Sequence, residues 1–278
     1  MDLICDTNIW YNIGAGRENP EDLKKNGDRL IATPVNVIEI SSKLTDRTLE
    51  ERKDASQAII EHCNDIMVDP EEHLASIWNL NTRKMDIHWM ESFRAIANAN
   101  SITEITQGVP DYVQGVARKV NVPFVRAWRA LHYEGFVNDI NAAIDIWWPG
   151  YADARRNGQV LYMTQAVGTA FGNALNTQEA RRTLLLATRQ RAALHLEEAP
   201  SDPSEEEIDN AMTALLPYIT TYAKYLHKVA TKFASRENDW GDLEAFIYLQ
   251  DGNRLLTRDT KWVEIAGESG NSSFLANV

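Results

Sequence analysis

Several residue types and patterns are scarce in this chain, and each scarcity excludes something. Cysteine occurs twice in 278 residues, at Cys5 and Cys63, without metal-type spacing. That excludes a cysteine-built zinc site and fits two small core residues in a reducing compartment. The six histidines, at positions 62, 73, 88, 132, 195 and 227, contain no His-Glu-x-x-His, so a zincin-type centre is excluded as well. No glycine-rich phosphate loop is present, which argues against an NTPase. No apolar run approaches the roughly 20 residues that span a bilayer. The opening MDLICDTNIW lacks a basic stretch followed by a long apolar one, so no signal peptide is expected and the expected location is cytoplasmic, away from membranes.

Net positive charge is missing too: the chain carries −12. The deficit is unevenly distributed. Residues 82–238 hold 17 basic and 17 acidic side chains, while the remainder holds 11 and 23. Within the balanced stretch, residues 118–191 carry 10 basic against 5 acidic residues. Otherwise the composition, 44% hydrophobic and 24% charged, is that of a globular protein large enough to bury a proper core.

Hydrophobic patterning gives the order of elements. Leu3–Cys5 reads as a buried strand ending in Asp6, followed by a polar segment to about Asp28. Leu30–Ala32 is a second short strand. Thr33-Pro34 starts a helix, with Thr33 as N-cap and Pro34 at the first helical position. That helix places Val35 and Ile38 on one face with Glu39 beside it. Residues 48–64 form another helix, Ile66–Val68 a third strand, and Asp69-Pro70 leads into a helix through about Leu80. From there to about Asn238 the pattern is persistently helical, over 84–99, 111–132, 134–147, 151–171, 176–196 and 204–235. Ser204 with Glu207 fits a capping box for the last of these. Trp240–Gln250 is a short helix, Arg254–Thr257 a strand, and the tail from Gly267 is expected to be loosely ordered. A strand–helix order resumed after a long helical stretch implies an α/β core interrupted by an insertion.

Four segments of that core stand out: Ile4-Cys5-Asp6-Thr7-Asn8, Thr33-Pro34-Val35-Asn36-Val37-Ile38-Glu39, Asp239-Trp240-Gly241-Asp242-Leu243-Glu244-Ala245 and Leu255-Leu256-Thr257-Arg258-Asp259. In this order they resemble the PIN-domain nucleases, whose strand-end Asp-Thr-Asn, helical Glu, helix-start Asp and Thr-x-Asp surround a metal. The resemblance covers residues 1–81 and 239–266 and implies a three-layer α/β/α core with a short, mainly parallel sheet. The discontinuous core would be 1–81 with 239–278, and 82–238 would be a helical insertion that departs from the family.

The resemblance implies Mg²⁺ or Mn²⁺ held by Asp6, Asp242 and Asp259, with Glu39 as a ligand or as the group orienting an attacking water. Clustered carboxylates repel one another and a hard divalent ion relieves that, so phosphodiester hydrolysis needs no further nucleophile. Asp239 shares a helical face with Asp242 and either serves a second metal or caps the helix. Asn8 and Thr257 support the carboxylates by hydrogen bonds, Thr7 is only structural, and Glu244 faces the surface. The expected activity is an endoribonuclease. The alternatives are a structure-specific DNA nuclease with the same site and a catalytically weak PIN-like module binding RNA or protein. Family members also suggest an inhibitory protein partner or a homo-oligomer.

In the insertion Arg118, Lys119, Arg126, Arg129, Arg155, Arg156, Arg181, Arg182, Arg189 and Arg191 interleave with Trp128, Tyr133, Trp147, Trp148 and Tyr151. Arginine with exposed aromatics is the mixture that grips RNA phosphates and stacks bases. Equally, the aromatics could be bundle core and the arginines a solvated face.

Overall fold

The computed structural model describes residues 1–25, 27–41, 46–81, 89–107, 135–193, 200–250 and 252–276. Four strands are formed among them: β1 (Asp2–Cys5), β2 (Arg29–Ala32), β3 (Asp65–Ile66) and β4 (Asn253–Leu256). They lie side by side in the order β3-β2-β1-β4, all parallel. The short apolar runs predicted as strands are therefore strands, the third one shortened to two residues. Alternation along β1 separates two cores. Ile4, with Ile31 and Leu255, faces one hydrophobic cluster, and Leu3 and Cys5, with Leu30 and Leu256, face another.

Helices cover both faces, so the α/β class holds. The Leu3 side receives α1 (Thr7–Gly14), α3 (Leu49–His62) and α5 (Trp89–Ala97). The Ile4 side receives α2 (Pro34–Ser41) through Val35 and Ile38, and α4 (Pro70–Ile77) through Leu74. Beyond α5 and a short α6 (Ile102–Gln107), the stretch continues as α7 (Phe136–Asp145), α8 (Tyr151–Arg156), α9 (Gln165–Leu175), α10 (Gln178–Ala193) and α11 (Glu205–Thr231). Residues of α7 to α11 share one continuous core with Ile4, Ile31 and Trp78, as do α12 (Asp239–Glu244) and α13 (Thr260–Glu268). The described helices of 82–238 thus pack directly on the sheet's helical cover. Predicted helix 111–132 lies outside the described residues, with Arg118, Lys119, Arg126, Arg129, Trp128 and Tyr133.

Start signals proved accurate where a side chain closes the helix end. Thr48 and Glu51 form a capping box on α3, Ser204 and Glu207 another on α11, and Asp69 caps α4 by accepting from the Glu71 amide. Four expectations need correction. The polar segment after Asp6 opens with a helix, α1, because Ile9, Trp10 and Ile13 form a buried stripe. The stretch 151–171 is two helices, since Gly158 takes a left-handed φ of +75° and turns the chain. Glu244 is buried. The tail is tied down: Leu275 bridges to Leu255, and the buried Asn271 amide donates to Pro217 O at 2.9 Å on α11. No helix among the described residues is long and apolar enough to cross a membrane.

Candidate metal centre

The order β3-β2-β1-β4 reverses direction between β1 and β4, and ligand sites of open parallel sheets lie beyond the strand carboxyl ends at such a point. Asp6 follows β1 and Thr257 follows β4, and the two meet there: Thr257 Oγ1 donates to Asp6 Oδ2 at 2.7 Å. Asp6 also caps α1, its Oδ1 accepting from the Asn8 amide at 3.2 Å. One chain reversal thus fixes the carboxylate from both sides.

Glu39 on α2 is aimed at the same place. Thr7 Oγ1 donates to Glu39 Oε2, and the Asn36 amide donates to Thr7 Oγ1 at 2.8 Å and to Cys5 O at 3.3 Å. Asn36 therefore clamps the end of β1 to α2. Asp242 comes from α12, its Oδ2 accepting from Trp262 Nε1 at 2.6 Å. Between Glu39 and Asp242 the backbone runs so close that only glycine fits. A Cβ on Gly241 would stand 2.8 Å from Val35 Cγ1 and against the Glu39 carboxylate. Asp6, Thr7, Asn36, Glu39, Asp242 and Thr257 all line one cleft of about 310 Å³, mouth included. Asp259 caps α13 next to it, accepting from the Lys261 amide at 2.8 Å.

Burial and mutual repulsion dominate the electrostatics. Burial, then the Asp259 charge, raises the Asp6 carboxyl above its usual range, against the lowering hydrogen bonds from Thr257 and Asn8. Burial and then Asp6 push Glu39 up to about 8, with Thr7 and Lys261 pulling the other way. Asp242 is raised well above the carboxylate range by burial, Asp6 and Glu39. Lys261 is the cation that counters both Glu39 and Asp242, and it is already engaged by Asp239. The cleft holds more negative charge than its neighbours neutralise.

Asp239 has a different setting from Asp242. It is 1% exposed, accepts from Tyr225 OH at 2.9 Å and the Arg236 amide at 3.2 Å, and pairs with Lys261. Both its oxygens are occupied by protein donors, so its evident work is to anchor the start of α12. Glu244, expected at the surface, is 1% exposed and paired with Arg191. Among the described residues no three carboxylate, histidine or cysteine side chains converge at metal-ligand spacing.

Asn8 acts on Asp6 as expected, and its side chain accepts from Arg47 at 3.5 Å. Sequence reasoning assigned Thr7 a merely structural part and overlooked Asn36, Lys261 and Trp262. Asn36 sat inside a quoted motif, but nothing in Val-Asn-Val marks a clamp, and Lys261 and Trp262 reach the site only through the fold. The described arginines of the insertion are mostly engaged within the protein. Arg156 pairs with Asp153, Arg182 makes a two-pronged pair with Glu205 at 2.8 Å, and Arg189 lies over the Trp78 ring. Arg191, counted with them, is a partly buried tie to Glu71 and Glu244. Of the aromatics, Tyr151 is buried and Trp148 packs on it, whereas Trp147 is 54% exposed. Arg155 and Arg181 are half-buried.

No family model, curated protein or solved structure matches this chain.

Proposed function

We propose that the protein is a divalent-cation-dependent nuclease of PIN-like type that cleaves within single-stranded RNA. The observation that carries this reading is the gathering of Asp6, Glu39 and Asp242 around one cleft, with Asp259 beside it, where burial and repulsion raise the pKa values of the first three. An excess of buried carboxylate is costly unless a cation relieves it, and oxygen-only donors suit Mg²⁺ or Mn²⁺. Asp6, Asp242 and Asp259 would hold the ion, with Glu39 a ligand or neighbour. When bound, such an ion polarises a phosphodiester and lowers the pKa of water.

The chain's own residues supply positioning. Thr257 and Asn8 hold the Asp6 carboxylate, and Trp262 holds Asp242. Thr7 occupies Glu39 Oε2, leaving Oε1 to accept a proton from the attacking water. Exposed Trp147 and the arginines of the insertion, Arg155 among them, offer stacking and phosphate contacts.

The test uses the full chain with labelled RNA and DNA pools, in Mg²⁺, in Mn²⁺ and in EDTA. The expected outcome is metal-dependent internal cleavage of RNA, abolished in Asp6→Asn. Cleavage surviving in D6N refutes the assignment, and preference for branched or nicked DNA would move the substrate class. A second reading, a weak PIN-like module that binds RNA or protein, is favoured by the incomplete convergence of the carboxylates. Mn²⁺ raising the melting temperature of the wild type, and not of D6N, without any cleavage would select it. Equal shifts in both proteins would sink both readings.

A further inference from the structure

A second cavity lies where α9, α10, α11 and α13 meet. It shares no wall residue with the acidic cleft and encloses about 300 Å³, the lower end of the size range of small-molecule sites. Its character is opposite to that of the cleft. Arg181 and Lys224 stand in the wall, and the carboxylate of the wall, Glu268, already accepts from Lys224 and Lys228, each at 2.6 Å. Glu264, one turn earlier, accepts from Lys228 and Lys232 at 2.7 Å. In the wall itself two cations, Arg181 and Lys224, stand against the single carboxylate of Glu268, which Lys228 also engages from outside the wall, on a chain whose net charge is −12.

Arg181 has the least satisfied charge of these cations. Among the described residues it has no carboxylate partner: Nη2 donates to Asn176 Oδ1 at 3.3 Å, and Nε is shut away from solvent with no acceptor. A planar guanidinium with no carboxylate partner among the described residues is shaped to meet two oxygens of a phosphate through its Nη groups. The Asn173 side-chain amide, also in the wall, has no partner among the described residues.

Other wall groups ask for donors. Thr169 spends its hydroxyl hydrogen on Gln165 O at 2.8 Å, so toward the cavity it can only accept, whereas Thr220 donates to Leu216 O at 2.8 Å and already accepts from the Asn271 amide at 2.9 Å. Glu268 is likewise an acceptor. A ligand that fits must bring an anion for Arg181 and hydroxyl hydrogens for Thr169 and Glu268. We propose that this cavity binds a phosphorylated sugar, with Arg181 and Lys224 on the phosphate and Asn173 and Glu268 on the hydroxyls. The ligand's source is either a free sugar phosphate or the 5′-phosphorylated end of a nucleic-acid strand. The proposal does not depend on the acidic cleft being a nuclease site.

The test is calorimetric titration of the full chain in EDTA, at fixed ionic strength, with ribose 5-phosphate, inorganic phosphate, ribose, and a trinucleotide with and without a 5′-phosphate. Saturable binding of ribose 5-phosphate, tighter than that of inorganic phosphate and absent for ribose, is expected. Arg181→Gln should weaken it about tenfold or more, the scale of a lost charge-assisted pair. Asn173→Leu narrows the mouth at an exposed position, so it tests the cavity even if R181Q folds poorly. A phosphorylated trinucleotide binding more tightly than ribose 5-phosphate would identify the strand end as the source, and the reverse order a free metabolite. Absence of saturable binding, or unchanged affinity in both variants, would overturn the proposal, and equal affinity for inorganic phosphate would overturn its sugar half.

Discussion

Arg191 on α10 enters the core and meets two carboxylates from different elements. Its Nε donates to Glu71 Oε1 on α4 and its Nη1 to Glu244 Oε1 on α12, each at 2.7 Å, and Nη2 reaches both residues. Both acids have side chains only 1% exposed. Replacing Arg191 by Met keeps most of the aliphatic stem and removes the positive charge that Arg191 supplies to two buried acids. Breaking a buried pair in this way costs about 3–5 kcal/mol. Arg191 and Glu244 border a cavity of about 650 Å³, mouth included, through which water can reach the orphaned acid. The cost therefore falls at the lower end, about 3 kcal/mol, or roughly 6–12 °C in melting temperature for a chain of this size.

The loss should depend on pH. In the wild type, burial raises the Glu244 carboxyl, and Arg191 is what pulls it down. In R191M that pull is gone. An acid whose folded pKa lies above its unfolded value contributes fully below the unfolded value and loses stability as pH rises through the folded one. The deficit of R191M should accordingly widen from about pH 5 to about pH 8 in urea titrations. The triple variant R191M with Glu71→Gln and Glu244→Gln should regain more than half of it, because no charge is left buried. If R191M melts within about 0.5 kcal/mol of the wild type at about pH 8, a shift ordinary for a surface change, the ion cluster is not what holds these three helices together.

Other outcomes follow from the cleft. Glu39, raised to about 8, costs stability when ionised, so in metal-free buffer Glu39→Gln should be the more stable protein above that pH. The sign is that of a raised acid, with stability lost on going alkaline, and saturating Mn²⁺ should reverse the ranking in thermal melts. Gly241→Ala should cost about 1–3 kcal/mol by overpacking against Val35 and Glu39, read as a lower urea midpoint. Trp262→Phe keeps the ring stacked on Tyr225 but removes the donor to Asp242. It should lower kcat on RNA about tenfold or more while costing only about 1–2 kcal/mol of stability. A larger stability loss with kcat intact would show that the indole packs rather than positions.

What could be read from the sequence was whatever short-range chemistry decides. Leu3–Cys5, Leu30–Ala32 and Leu255-Leu256 are strands because short apolar runs between polar residues suit a sheet buried on both faces. Thr48, Asp69 and Ser204 cap helices because their side chains reach the amides just ahead. Asp6, Glu39 and Asp242 were expected together because their motifs, in order, resemble those of the PIN-domain nucleases, and the structure lines one cleft with all three. The failures were of another kind. Asp6-Thr7-Asn8 was read as the end of a strand, although the same Asp6 starts α1, and that double use hid a helix of eight residues. Glu244 was assigned to solvent because it lies off the Asp242 face. Helical periodicity shows that the two faces differ, but not that α10 brings a partly buried arginine to the second one.

The same point bears on what residues 82–238 do. α12 is six residues long, too short to be stable alone, and it carries Asp242. Its first residue, Asp239, is held by Tyr225 of α11 and the Arg236 amide, and its last, Glu244, by Arg191 of α10. Trp262, which holds Asp242 itself, is stacked on Tyr225. Every one of these anchors except Trp262 comes from the long helical stretch. An appended specificity module could be removed with the acidic cleft intact. Here, removal would take Tyr225 and the Arg236 amide from Asp239, leaving it Lys261, and would take Arg191 from Glu244, so the turn that carries Asp242 would lose most of its support. The helical stretch therefore helps build the cleft: carboxylates are gathered at the sheet by the acidic part of the chain, and the side chains that fix their helix are supplied by the charge-balanced stretch outside it.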